Sequence, residues 1–156
     1  MTSLCCDVLK ALEGKALVTA ESLTGGGIGA ALTGISGSSA VYKGGVICYT
    51  NWVKHNVLGV PQEVLDSQGA VSEQTAAAMA KGVRKLLQAD VAVSVTGLAG
   101  PGGDEFGNPV GTVFIGYEDE YQAVVNHCVF SGDREAVRTQ TVKTALELVL
   151  KMQTHL

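Results

Sequence analysis

No apolar run in this sequence is more than a few residues long, far short of the roughly 20 that a membrane-spanning helix needs. Basic charge is not in excess either. The formal net charge is −4, which removes the broad positive field of a nucleic-acid-binding protein. Asp7 and Lys10 interrupt the apolar N-terminal stretch, so it does not read as a signal peptide and a cytoplasmic location is expected. The cysteines Cys5, Cys6, Cys48 and Cys128 show neither a zinc spacing nor a C-x-x-C pair, and His55, His127 and His155 have no partner at ligand spacing. Reduced thiols and no metal site are expected, with Cys48 and Cys128 buried in strands. Also missing are a Gly-Lys-Ser/Thr phosphate loop, a Gly-x-Ser-x-Gly elbow and a Ser-x-x-Lys pair.

What is present suits a globular enzyme-sized domain. With 156 residues, 46% of them apolar and 17% charged, the chain is expected to fold as one domain over residues 1–156. Helical periodicity marks residues 4–12, with Gly14 as a stop, the segment after Gly27, and a final helix opened by Asp133 and running to about Lys151. Asn51 and Pro61 are read as the N-cap of one short helix and the first turn of another. Ser72 to Gln88 is the clearest helix of all. Strands are expected at 15–20, 44–50, 90–96, 111–117 and 123–130, the last two as a hairpin around Glu118–Tyr121. This alternation predicts a three-layer α/β/α sandwich on a mixed central sheet, its last two strands antiparallel.

The segment Thr19–Ala30, TAESLTGGGIGA, joins a strand to a helix, the position where open α/β sheets bind ligands. Gly25, Gly26 and Gly27 allow close backbone approach, and the helix start offers N–H groups to an anion. A glycine turn with capping hydroxyls reads equally well. The pattern Gly25-x-Gly27-x-x-Ala30 resembles a dinucleotide fingerprint, but that fingerprint wants an acidic residue about 20 positions on. Between Ser22 and Gln62 there is no Asp or Glu, so the dehydrogenase reading fails. The formal charges of that stretch are Lys43 and Lys54, which keeps a phosphate-bearing substrate in play. If the first two strands are neighbours, Ser22, Tyr49 and Lys54 converge, with a desolvated lysine as base for the serine. From the residues alone this is one of several constellations.

Collinear segments from about Leu17 to Arg138 then narrow the choice: TAESLTGGGIGAALT, GSSAVYKGGVICYTN with Lys54, LGVPQEVLDSQGAVSEQTAAAMAKG, ADVAVSVTGLAGPGG with NPVGTV, and FSGDREAVR. In these the chain resembles the CinA C-terminal domain family, the nicotinamide-nucleotide amidases also called PncC. The resemblance implies a compact α/β/α sandwich that hydrolyses the carboxamide of nicotinamide mononucleotide without metal or organic cofactor. It implies Ser22 as nucleophile, Lys54 as base and proton donor, and Tyr49 as a residue that orients Lys54 or relays its proton. Thr24, Gly25 and Gly26 are implied as oxyanion-hole and substrate contacts. Asn51, Gly97, Gly100 and Arg134 complete the binding set, with the VTGLAGPGG loop as a wall over the nucleotide. For Arg134, phosphate or carboxylate pairing and a plain surface arginine beside the cap Asp133 are both open readings.

The chain departs from the family pattern at Leu23, where a cysteine is common, and at Trp52 and Val53, where acidic or small residues are. Longer members carry a further N-terminal domain, and this chain is expected to be the stand-alone form. The expected partners are a small-molecule nucleotide and other copies of the chain, as a dimer or larger, with no nucleic acid and no membrane. The alternative is a non-catalytic nucleotide-binding or competence and DNA-damage-related module of the same fold. Retention of Ser22, Tyr49 and Lys54 together favours the enzyme, since a pure binder needs neither nucleophile nor base.

Overall fold

A computed structural model describes residues 1–154. In chain order the elements are α1 (Thr2–Ala11), β1 (Leu17–Glu21), α2 (Gly27–Thr33), β2 (Tyr42–Ile47), α3 (Asn51–Asn56), α4 (Gln62–Gln68), α5 (Glu73–Leu86), β3 (Val91–Gly97), β4 (Thr112–Glu118), β5 (Ala123–Val129) and α6 (Arg134–Thr154). The strands form a mixed five-stranded sheet in the order β2-β1-β3-β4-β5. The β1 strand pairs in parallel with both β2 and β3, while β3–β4 and β4–β5 are antiparallel. The expected sandwich is therefore borne out.

Its three layers follow from chain handedness. From β1 the chain steps one way along the sheet to β2, then returns past β1 to reach β3 on the other side. Parallel crossovers are right-handed, so opposite steps put their helices on opposite faces. One face accordingly buries Leu17, Val93, Val95, Val113 and Ile115 against Val8 of α1, Ile28 and Leu32 of α2, and Val137, Leu146 and Val149 of α6. The other packs Val18, Ala20 and Ala92 against Leu65 of α4 and Met79, Ala80 and Val83 of α5. Small residues let α5 lie close to the sheet there. Ser94 donates its hydroxyl to the Ala76 carbonyl at 2.6 Å, and a Cβ at Gly116 would stand 2.7 Å from that same oxygen. Because both faces are covered, six successive residues of β3 are buried, giving a continuous apolar run in place of alternation.

Element ends differ from expectation by up to three residues. The N-cap of α3 is Thr50, whose hydroxyl accepts from the Val53 N–H at 3.5 Å, one residue before the expected Asn51. Pro61 is the N-cap of α4 with an extended ψ of 134°, and the helix proper begins at Gln62. The β2 strand stops at Ile47, short of the expected Thr50, because its partner β1 ends opposite it at Glu21. Ser72 and Asp133 do cap α5 and α6, accepting from the N–H groups of Thr75 and Ala136. Cys48 is buried as expected, though just past its strand, and Cys128 on the edge strand β5 is only half-buried. The expected reading of His155 falls outside the described residues.

The consequence for function lies at one edge. Glu21 pairs with both Ile47 and Val95, so the carboxyl ends of β1, β2 and β3 stand side by side where the strand order reverses. Such a switch point opens a crevice beyond the strand ends.

Candidate active site

Beyond β1 the chain turns sharply through Ser22–Gly26 before α2 begins. Gly26 takes φ +102°, a left-handed conformation that only glycine adopts cheaply, and this lets the turn close in five residues. Ser22 is 6% exposed and Lys54, from α3, is 1% exposed. Their side chains meet: Lys54 Nζ lies 3.0 Å from Ser22 Oγ, 2.8 Å from the Cys48 carbonyl and 3.4 Å from the Tyr49 carbonyl. An uncharged amine has two N–H groups and one lone pair. In that form the two N–H groups serve the two carbonyls and the lone pair can take the Ser22 proton, whereas the protonated amine donates to all three oxygens, Ser22 Oγ included.

The electrostatics point the same way. Burial lowers the Lys54 amine from its ordinary value of 10.5, opposed only by the smaller influence of Cys48. Among the described residues no carboxylate stands within ion-pair distance of it. A lysine so placed favours the free-base form that can accept the serine proton. The neighbouring Cys48 thiol, although close, is pushed up to about 11 by burial, with Lys54 pulling more weakly the other way. It stays protonated and is a poor nucleophile.

Two residues without an assigned role hold the turn. Glu21 is 2% exposed, and its carboxylate accepts from the Thr24 hydroxyl at 2.7 Å and from the N–H groups of Ile28 and Gly29 at 2.7 and 3.1 Å. Arg138 of α6 donates Nε–H to the Leu23 carbonyl at 2.9 Å and Nη2–H to the Thr24 carbonyl at 3.2 Å. The Glu21 contacts correct one expectation. The N-terminus of α2 is an anion seat, as the glycine loop suggests, but the protein's own carboxylate fills it and takes the Thr24 hydroxyl too. The sequence carries no local signal for this, since the missing side-chain cap of α2 shows only in the folded chain.

The remaining expected residues divide. Tyr49 faces Lys54 through its carbonyl, while its hydroxyl, on a side chain 58% exposed, accepts from Arg134 Nη2 at 3.1 Å. Arg134 also donates to the Gly100 carbonyl at 2.7 Å, tying the second glycine loop to the crevice. Gly97 is needed for packing, since a Cβ there would stand 2.7 Å from the Thr112 carbonyl oxygen. Asn51 begins α3 and is exposed. Lys43 lies at the opposite end of β2 and donates to the Gln88 carbonyl, so the lysine excess of the stretch reduces at this site to Lys54. The departures are harmless to this geometry: Leu23 packs into the core, and Trp52 of α3 stands 68% exposed. Concavity alone would have misled. A groove of about 730 Å³ is lined by Val57, Pro61, Lys81 and Gly82 and contains none of these groups.

Known proteins share this fold over nearly the whole chain. A protein of the Competence-Damaged Protein (CinA) superfamily from Klebsiella pneumoniae 700603 superposes with a TM-score of 0.96 at 38% identity, covering 99% of this chain and 98% of that one. The competence/damage inducible protein CihA of Agrobacterium tumefaciens gives 0.93 at 40% identity, over 96% and 93%. Among curated sequences, a relative from Bacillus pumilus named as competence-damage inducible is 44% identical over 153 residues, 97% of this chain and 36% of that protein. One of the same name from Halothermothrix orenii is 48% identical over 147 residues, 92% and 36%. The chain thus spans about a third of the length of these curated relatives. The family model for the CinA C-terminal domain matches residues 2–153, so the chain belongs to that family.

Proposed function

We propose that the chain hydrolyses the carboxamide of nicotinamide mononucleotide to nicotinate mononucleotide and ammonia, with Ser22 as nucleophile. The observation that carries this is the 3.0 Å approach of a buried Lys54 amine to the Ser22 hydroxyl, with carbonyls rather than carboxylates as its other partners.

Ser22 Oγ attacks the amide carbon while its proton passes to Lys54 Nζ. The tetrahedral oxyanion is met by backbone N–H groups of the serine turn. Lys54 then returns the proton to the amide nitrogen, which leaves as ammonia, and an ester on Ser22 remains. Water attacks that ester, giving its proton to Lys54. Collapse of the second tetrahedral species returns that proton to Ser22 and releases the carboxylate. Every proton moves between Ser22, Lys54, water and the leaving group. The carbonyls of Cys48 and Tyr49 hold the amine in place through both halves.

The substrate's pyridinium ring is itself cationic. An uncharged Lys54 avoids like-charge repulsion with it, and the exposed faces of Tyr49 and Trp52 suit a cationic ring. Arg134, already at the mouth through Tyr49 and Gly100, supplies a positive charge for the phosphate. The relatives are named for competence and damage induction, and a second reading is a non-catalytic module of the same fold that binds the nucleotide without turning it over. The two are separated by incubating the purified chain with nicotinamide mononucleotide, with and without a chelator. Equal release of ammonia and nicotinate mononucleotide, undiminished by the chelator, is expected. Tight binding of intact nucleotide without turnover would instead establish the module.

A further inference from the structure

The serine turn has an uneven pattern of backbone hydrogen bonding. Its carbonyls are engaged: Ser22 O accepts from Gly25 N–H at 3.2 Å, Thr24 O from Gly27 N–H at 3.0 Å, and Arg138 takes both Leu23 O and Thr24 O. Its N–H groups are only partly so: Ser22 donates to the Val95 carbonyl at 3.0 Å and Gly25 to that of Ser22. Among the described residues, the N–H groups of Leu23, Thr24 and Gly26 meet no acceptor.

Direction follows from peptide geometry. In a planar trans peptide the C=O and the next N–H point opposite ways. The Thr24 carbonyl faces Arg138, and the Gly25 N–H on the far side of that peptide points to Ser22. The Leu23 carbonyl also faces Arg138, so the Thr24 N–H is turned away from Arg138, to the side on which the Gly25 N–H meets the Ser22 carbonyl, and is unpaired there. Meanwhile Glu21 anchors the other end of the turn through Thr24 Oγ1 and the first amides of α2.

We propose that Arg138 is a positioning residue: by holding the Leu23 and Thr24 carbonyls it fixes the Thr24 N–H as the donor that meets the oxyanion formed on Ser22 attack. The proposal rests on the acyl-transfer reading of Ser22 and adds to it the device that orients the oxyanion hole. An arginine suits the task because its planar fork engages two carbonyls at once, which a lysine does not. The function expected of it is rate, not affinity, because the Thr24 N–H is called on only as charge develops.

The test compares two acyl donors in wild type and Arg138→Ala: nicotinamide mononucleotide, followed by ammonia release, and p-nitrophenyl acetate, followed by acetylation of Ser22. The acetate ester has no phosphate. Both rates are expected to fall at least about tenfold, with KM for the nucleotide within about threefold, and ethylguanidinium is expected to restore part of the loss. A higher KM with unchanged kcat, or a loss confined to the nucleotide, would make Arg138 a phosphate ligand and overturn the proposal. Should Arg138→Ala not fold, Arg138→Gln, which keeps one donor, is expected to show the same two-substrate loss. Normal rates in either folded variant refute the positioning role. Acetylation of wild-type Ser22 without nucleotide turnover, slowed in the variant, would sink the substrate assignment and leave the role of Arg138 standing. A wild-type chain that undergoes neither reaction overturns both.

Discussion

The two glycine-rich loops of this chain sit at the carboxyl ends of adjacent parallel strands, yet they are built in opposite ways. The turn after β1 is laid over charged and polar side chains taken out of water, namely Glu21, Ser22, Thr24 and Lys54, each with hydrogen-bond partners. The loop after β3, from Leu98 to Val110, runs largely over the surface. Asp104 accepts from Phe106 and Asn108, Asn108 donates to Val71, and Arg134 holds Gly100. Composition makes the loops look alike. Burial separates them, because an amine is driven toward its reactive free-base form only where water is excluded.

If the contrast is sound, substitutions beneath the first loop should act on rate, and those in the second chiefly on local order. After removal of Ser22 itself, the largest effect is expected for Lys54→Ala, a loss in kcat of at least about a hundredfold, the usual scale for a general base. Circular dichroism should show it folded. A smaller loss, about tenfold or more, is expected for Gly26→Ala, because the φ of +102° disfavours a side chain and the new Cβ would press on Ile47 Cδ1 at 3.3 Å. The dependence on pH is a third check. Lys54 acts as the uncharged amine and burial lowers its pKa, so kcat/KM should rise with pH and level off below the ordinary 10.5. A limb that rises only at or above that value would contradict the desolvation argument. The smallest effect belongs to the second loop: Gly102→Ala meets nothing within 4 Å, and the unfolding midpoint should register a change within about 0.5 kcal/mol.

Much of this was legible before any coordinates. Periodicity, with the cap signals at Asn51 and Pro61, places every strand and helix within a few residues, and the run of β3 is strongest because both faces of the sheet are covered there. Convergence of Ser22 and Lys54 required only that β1 and β2 be neighbours, which the alternation of elements suggested. Three things were not legible. Glu21 looked like one more polar loop residue, since the sequence does not show that Thr24, Ile28 and Gly29 curl back onto it. Lys43 and Lys54 looked like a pair, since a charge count along the chain ignores that a strand separates its two ends by the depth of the sheet. Arg138 is 115 residues from the carbonyl it holds, and no local pattern reports a contact of that span.

The account stands or falls on Ser22. The decisive measurement is the initial rate of ammonia release from nicotinamide mononucleotide by Ser22→Ala relative to wild type, at matched substrate saturation. A loss of at least about a thousandfold with nucleotide binding retained is the predicted result, in keeping with removal of a nucleophile. Turnover within about tenfold of wild type would contradict the account, whatever the distance between Ser22 and Lys54.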